Sequence, residues 1–154
     1  MDKSILKIVG IFALVVACFG FVAYRDYTWD NTVIKDKGSE GYILAETRHA
    51  FIEDFRPWEL FCKAPVSELS FIKPNEFVEV KDDFVFGEIL SIERGEMFKT
   101  RENKYQTVFD CKNNMFSYTG PITTVNDVNF AELEWDHTVG VNNRYNGIAS
   151  IVCR

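Results

Sequence analysis

The feature that most constrains this chain is an uncharged apolar run of 17 residues near its N-terminus. Residues 8–24 form this run, which follows Asp2, Lys3 and Lys7 and stops at Arg25. A short basic segment followed by an apolar core is typical of an export signal. The sequence therefore predicts that the residues after the run lie outside the cytoplasm.

Three fates of this leader are open. The run is near the lower limit of about 17–25 residues for a spanning helix, so residues 1–24 can remain as a signal anchor. The basic end would then face the cytoplasm, as the positive-inside rule prefers. The segment ending at Cys18 also resembles a bacterial lipobox, which predicts a lipoprotein acylated at Cys18, although the residues after it stay apolar. Cleavage after Gly20 is the third fate.

The part of the chain beyond the leader is long enough for one domain with a single core. We divide it into a polar tether, residues 25–40, and one exported globular domain, residues 41–154. Because the leader carries +1, the chain's net charge of −6 leaves −7 for residues 25–154. Nucleic acid and anionic lipid need a basic surface, so neither is expected as a ligand of this domain. The expected partner is a protein, and a basic one if the charge serves more than solubility.

Three cysteines lie in the exported part: Cys62, Cys111 and Cys153. Thiols outside the cytoplasm tend to pair, and one of three is left over. Cys111 and Cys153 each end a strand-like run, and a bridge near a chain end keeps that end from fraying. We expect a Cys111–Cys153 disulfide with Cys62 free and buried. The spacing contains no CxxC pair, and His49 and His137 are distant in sequence, so no metal site is predicted.

The pattern of residues 41–154 predicts an α+β fold with an antiparallel sheet of about 5–7 strands and one or two helices, preceded by the N-terminal transmembrane or signal helix. Apolar residues at helical spacing predict a helix over 42–56, before Pro57, although Tyr42-Ile43-Leu44 equally suits the start of a strand. Later segments rich in β-branched and aromatic residues predict strands: 58–62, 70–72, 77–80 and 84–92.

A hairpin is the clearest pattern in the chain. Residues 105–111 alternate, Lys112-Asn113-Asn114 suits a turn because Asn tolerates positive φ, and residues 115–119 return. Residues 130–137 also alternate, which predicts a half-solvated strand with Leu133 and Trp135 in the core. The last segment, 142–153, is ambiguous, and Asn142-Asn143 suits the cap of a short helix.

The order of these features resembles the surface-adhesin protein E-like domains of Gram-negative bacteria. The resemblance covers about residues 58–154 and is carried by Trp58, the strands from Ser70 to Ile92, the Asp110-Cys111 pair, Trp135 and the final Val152-Cys153. The long leader and the additional Cys62 depart from the pattern. The resemblance implies a small exported binding module with a paired C-terminal cysteine, which in some members is an adhesin for host matrix proteins.

No hydrolase or phosphate-binding motif is present in the sequence, and no motif calls for a cofactor. His137 next to Asp136 suits a general base, but no nucleophile is near it in sequence. The acidic residues Glu132, Glu134 and Asp136 are candidates for binding a basic partner. A calcium site there would lack the usual Asp/Asn/Gly loop. Tyr24, Tyr27 and Trp29 fit an interfacial aromatic belt beside the apolar run.

The sequence thus favours a non-enzymatic protein. The first hypothesis is an exported, membrane-tethered binding module, adhesin-like or a subunit of an envelope complex. The second is a periplasmic inhibitor or immunity protein that neutralises a toxic enzyme through its acidic surface. Either would work in the bacterial cell envelope, with the domain in the periplasm and the anchor in the inner membrane or at an acylated Cys18.

Overall fold

The computed structural model of this protein describes residues 3–50, 66–81, 83–94, 100–119, 125–138 and 145–154. These residues include two α-helices, α1 (Lys3–Ser39) and α2 (Asn146–Val152). They include two 3₁₀ helices, Pro74–Glu76 and Val125–Asp127. The strands lie in this chain order: β1 (Ile43–Ala50), β2 (Val66–Ile72), β3 (Val78–Lys81), β4 (Phe84–Arg94), β5 (Thr100–Asp110), β6 (Met115–Tyr118) and β7 (Asp136–His137).

The seven strands form one sheet in which every pair is antiparallel. The order is β1-β2-β4-β5-β6-β7, and β3 pairs with β4 beside this path. β4 and β5 have eleven residues each and pair along their full length. The α+β class with an antiparallel sheet is confirmed, and so are the strands predicted between residues 70 and 119.

Each face of the sheet is buried by one helix, because successive side chains of a strand point to opposite faces. Phe71 and Leu90 are register partners on the face that α1 covers, together with Leu69 and Ile92. The adjacent pair, Ile72 and Ile89, points to the opposite face. That second face packs against α2 in one buried cluster: Ile72, Ile89, Phe109, Phe116, Tyr145, Ile148 and Ala149.

A glycine turn joins α1 to β1 and sends the chain back along the sheet. The N–H of Tyr42 donates to the Lys37 carbonyl over 3.1 Å, and that of Gly41 donates to the Gly38 carbonyl over 3.1 Å. These two bonds form a Schellman motif, which needs a left-handed residue at the position of Gly41. Gly41 has φ 86°, a conformation that costs glycine little. The turn makes α1 and β1 an antiparallel pair.

The predicted hairpin of β5 and β6 is confirmed, and its turn is held by a side chain. One Asp110 carboxylate oxygen accepts the N–H groups of Lys112 (3.1 Å) and Asn113 (2.9 Å), and the other accepts from Asn113 Nδ2 over 2.7 Å. Asn114 has φ 53°, as expected of an asparagine in a turn.

Two predicted helical or linker segments differ from the structure. The helix predicted over 42–56 is wrong for residues 43–50, which form β1. The tether predicted at 25–40 is instead the second half of α1 up to Ser39. Its side chains at Trp29, Val33 and Ile34 pack on the sheet, so it belongs to the folded body.

The strand predicted at 130–137 is also wrong for most of its length. Only Asp136 and His137 are strand residues, and they pair with Phe116 and Met115 at the end of the sheet. Leu133 and Trp135 are half-buried rather than part of the buried core. The alternation nevertheless matches exposure, since the acidic side chains between them are exposed.

Some predictions fall on residues outside the described ranges: the strand at 58–62, the free Cys62 and the cap at Asn142-Asn143. The final helix itself is present as α2, with Tyr145 at its N-cap position. Judged over the described residues alone, no helix combines the length and the apolar character needed to cross a bilayer.

Candidate interaction surfaces

The first half of α1 carries large apolar side chains that are exposed on every side of the helix. Eight of these side chains are 54–70% exposed: Ile8, Val9, Ile11, Phe12, Leu14, Val16, Phe19 and Phe21. At about 100° per residue these positions surround the helix axis. A helix that is apolar all round normally lies in a protein core or a membrane. The backbone of Cys18 lies within this helix, and its side chain is outside the described part.

The second half of α1 is fixed to the sheet by contacts of three kinds. Val33 and Ile34 pack on the apolar cluster of the α1 face. The guanidinium carbon of Arg94 lies 5.3 Å from the centre of the Trp29 ring, within the range of a cation–π contact. Lys37 Nζ lies 3.2 Å from the Glu102 carboxylate of β5. Together these contacts hold the second half of α1 on the sheet.

Two lysines near the α1 face of the sheet, Lys37 and Lys104, have raised pKa values. Partial burial alone lowers the pKa of Lys37, but its hydrogen bonds to Glu40 and Glu102 outweigh that effect and raise the pKa above its ordinary value. The Lys37 side chain is 14% exposed, but those of Glu40 and Glu102 are 52% and 51% exposed, so solvent partly screens these charges. The hydrogen bond to Glu88, 2.8 Å long, raises the pKa of Lys104 on the neighbouring surface.

The Cys111 and Cys153 sulfur atoms lie 2.03 Å apart, as in a disulfide bond. This is the pairing predicted from the sequence. Cys111 follows β5 at the hairpin turn and Cys153 follows α2, so the bridge joins the chain end to the centre of the sheet. The N–H of Cys153 donates to the Ala149 carbonyl over 2.9 Å, which continues the bonding of α2 to the bridge.

An aromatic cluster lies beneath the start of α2. The Phe116 and Tyr145 ring centres are 4.0 Å apart, and Tyr118 meets Tyr145 edge-on at 5.7 Å. Tyr105 lies 5.5 Å from Tyr118, the member that is 39% exposed. Aromatic pairs with these spacings stabilise beyond the area that they bury. The cluster therefore serves mainly to seat α2, and Tyr118 is its outward-facing member.

The predicted partner-binding residues Glu132, Glu134 and Asp136 are all exposed. They lie on a segment that Trp135 anchors, since its ring centre is 5.7 Å from that of Phe84. One Asp136 oxygen accepts the N–H of His137 over 2.8 Å. The structure thus presents the three carboxylates to solvent, two on the irregular segment before β7 and one at the first residue of β7.

The two histidines lie on different strands, His137 in β7 and His49 in β1. His137 is exposed at the edge of the sheet, and the side chain of His49 in β1 is outside the described part. Within the described ranges, no three histidine, cysteine or acidic side chains are arranged to hold a metal ion. Comparison with protein-family models, with curated proteins and with solved structures finds no match for this chain.

Sequence reasoning missed the contact between α1 and the sheet. Trp29, assigned to an interfacial aromatic belt, instead packs on the domain beside Arg94. The signal was present, because Trp29, Val33 and Lys37 succeed one another at four-residue intervals on one helix face. The surrounding polar residues made the segment read as a linker.

Proposed function

We propose that this protein is a binding module held at a membrane by the first half of α1, with the domain exported. The observation that carries the proposal is the change along α1, from apolar side chains exposed all round to side chains packed on the sheet. Exposed apolar surface of this extent is costly in water. Burial of residues 8–24 in lipid removes that cost.

The apolar run is slightly shorter than the hydrocarbon layer that it would enter. Seventeen helical residues extend about 26 Å, against about 30 Å for the hydrocarbon layer. Lys3 and Lys7 precede the run, as expected of a cytoplasmic end. The domain would then lie in the periplasm of a bacterial envelope, where the Cys111–Cys153 bridge can form. Acylation of Cys18 is the alternative route to the same tether.

Membrane attachment is tested by extracting bacterial membranes with alkaline carbonate. The full chain should stay in the membrane fraction, whereas Phe12→Lys/Val16→Lys should be released because each charge is costly in hydrocarbon. Asn31→Lys/Asp36→Lys is the matched control, since it adds lysines at exposed positions of the second half of α1. Release of both variants, or of neither, would contradict the proposal. The mass of the mature chain distinguishes a retained anchor from acylation at Cys18.

The side of the membrane is tested separately. A reporter that is active only in the periplasm, fused after Arg154, should be active. Activity of a cytoplasmic reporter at the same position instead would end the export proposal.

The adhesin-like hypothesis rests on the resemblance to protein E-like domains. Binding of the purified protein to immobilised host matrix proteins would support it.

The exposed acidic residues favour the second candidate function, inhibition of a toxic enzyme with a basic surface. Glu132, Glu134 and Asp136 face solvent, so they can approach a partner without unfolding the segment. Complementary charge mainly speeds association and suppresses wrong partners. A co-purified enzyme that loses activity in the complex would support inhibition, whereas an envelope or matrix protein would support the tethered binding module.

A further inference from the structure

If α1 is the anchor, its contacts also fix how the domain stands on the membrane. Helix α1 is continuous from Lys3 to Ser39, so no flexible linker separates the apolar run from the packed half. Trp29 lies five residues beyond Tyr24, the last residue of the run, which is about 8 Å along the helix axis. Trp29 contacts Arg94, the last residue of β4. The end of β4 is therefore close to the end of the apolar run.

Strand register shows which residues share that end of the sheet. Arg94 pairs with Thr100 at the start of β5, and Glu93 pairs with Arg101. Ser67 of β2 is the other partner of Arg94. Because α1 and β1 run antiparallel, the chain reaches the opposite end at Ile43 and returns to this one at Ala50. We call the residues Arg94, Thr100 and Arg101 the Arg94 end.

The lipid headgroup layer is thick enough to reach the Arg94 end of the sheet. Each layer adds about 5–8 Å to the hydrocarbon core. We infer that the Arg94 end rests in the lipid headgroup layer, a contact that depends on the proposed anchoring of residues 8–24. Thr100 and Arg101 are both exposed there, and the guanidinium of Arg101 suits a lipid phosphate. The contact is local and does not require anionic lipid, which the net acidity of the chain disfavours.

The experiment uses the full chain in vesicles of phosphatidylcholine that carry a headgroup quencher. A fluorophore is attached at Thr100→Cys, or at Asn75→Cys as the control, with Cys18→Ala and Cys62→Ser in both. Asn75 is exposed and lies beyond the opposite end of β2, about 17 Å or more from the Arg94 end. The intact mass should first confirm that one label is attached and that the Cys111–Cys153 bridge is present.

Fractional quenching should be about threefold greater at position 100 than at position 75, because position 75 would lie well beyond the headgroup layer. Arg101→Gln should lower quenching at position 100. A flexible Gly-Ser insertion between Tyr24 and Arg25 should bring position 100 down to the level of position 75. Equal quenching at both positions in vesicles that retain the protein would overturn this inference alone. Failure of the protein to float with vesicles would overturn both the inference and the proposed anchor.

Discussion

The guanidinium carbon of Arg94, at the end of β4, lies 5.3 Å from the centre of the Trp29 ring on α1. Arg94 is a charged residue that is almost fully buried. Its position over an aromatic face, beside the apolar contacts of Val33 and Ile34, ties the N-terminal helix to the sheet. The second half of α1, which the sequence predicts to be a tether, is therefore part of the folded core.

Replacing Trp29 should therefore weaken the whole domain. We expect Trp29→Ala to lower the free energy of unfolding by about 2–3 kcal/mol, through lost packing and the lost cation–π contact. Urea unfolding of the full chain in detergent, followed by circular dichroism, measures the change. Tyr27→Ala is the matched control, because Tyr27 is exposed on the same helix and its removal should have little effect. Equally small losses in the two variants would show that the packing of Trp29 on the sheet does not contribute to domain stability.

The Cys111–Cys153 disulfide should contribute to the free energy of unfolding by an amount similar to that of Trp29. Its cysteines are 42 residues apart, for which the chain-entropy model gives about 4 kcal/mol. Cys111→Ser/Cys153→Ser should lower the free energy of unfolding by about 2–4 kcal/mol and loosen α2, whose end the bridge holds. Non-reducing peptide mapping identifies the bridge, and Cys62→Ser should leave it unchanged. A bridge that contains Cys62 as the main species would refute the pairing.

Trp135 should matter less than a residue of the buried core. Its ring is half-buried and packs on Phe84, whereas Phe109 is fully buried under α2. We expect Trp135→Ala to cost about 1–2 kcal/mol and Phe109→Ala about 3–5 kcal/mol. Chemical denaturation of both variants gives the comparison. If Phe109→Ala fails to fold, the ordering still holds, but a Trp135→Ala variant that fails to fold would place Trp135 in the core after all.

The central strands could be predicted because their side chains alternate regularly and because their partner strands follow closely in the sequence. β1 was not, because the strand register shifts between Leu44 and Glu46. The inserted residue breaks the two-residue period, and Tyr42, Ala45 and His49 happen to be spaced in the sequence as on one face of a helix, although Tyr42 and Ala45 pack on opposite faces of the sheet. The reverse error occurred at 130–137, where alternation is present but β6 offers only Met115 and Phe116 as paired partners. A side-chain pattern cannot show whether a neighbouring strand exists.

The candidate site was predictable only in part. Alternation placed the acidic side chains of residues 132–136 in solvent, and cysteine position gave the pairing with Cys153. The contact of Trp29 with Arg94 joins residues 65 positions apart in sequence. Such a contact depends on how α1 crosses the sheet, which local patterns do not encode.

The Lys37 ion pairs should make stability depend on pH in the alkaline range. The pKa of Lys37 is raised above its ordinary value of 10.5, so its contribution is complete below that value and is lost as pH rises through the raised pKa. The stability difference between the wild type and Lys37→Met should therefore be constant near neutral pH and shrink above about pH 10.5. Urea unfolding at several pH values measures it. Lys35→Met, at an exposed lysine two residues earlier, is the control, and a similar pH dependence there would rule out a specific effect of Lys37.

Removing the three exposed acidic charges should leave the free energy of unfolding nearly unchanged and slow association with a basic partner. We expect Glu132→Gln/Glu134→Gln/Asp136→Asn to change the free energy of unfolding by less than about 0.5 kcal/mol, because exposed charges contribute little. Association with a basic partner should slow most at low salt, where screening is weakest. Asp36→Asn/Glu79→Gln/Asp83→Asn is the matched control, since it removes three exposed charges elsewhere. Association rates are measured for both variants at two salt concentrations. Equal slowing in both would show that the acidic segment acts only through the net charge of the protein.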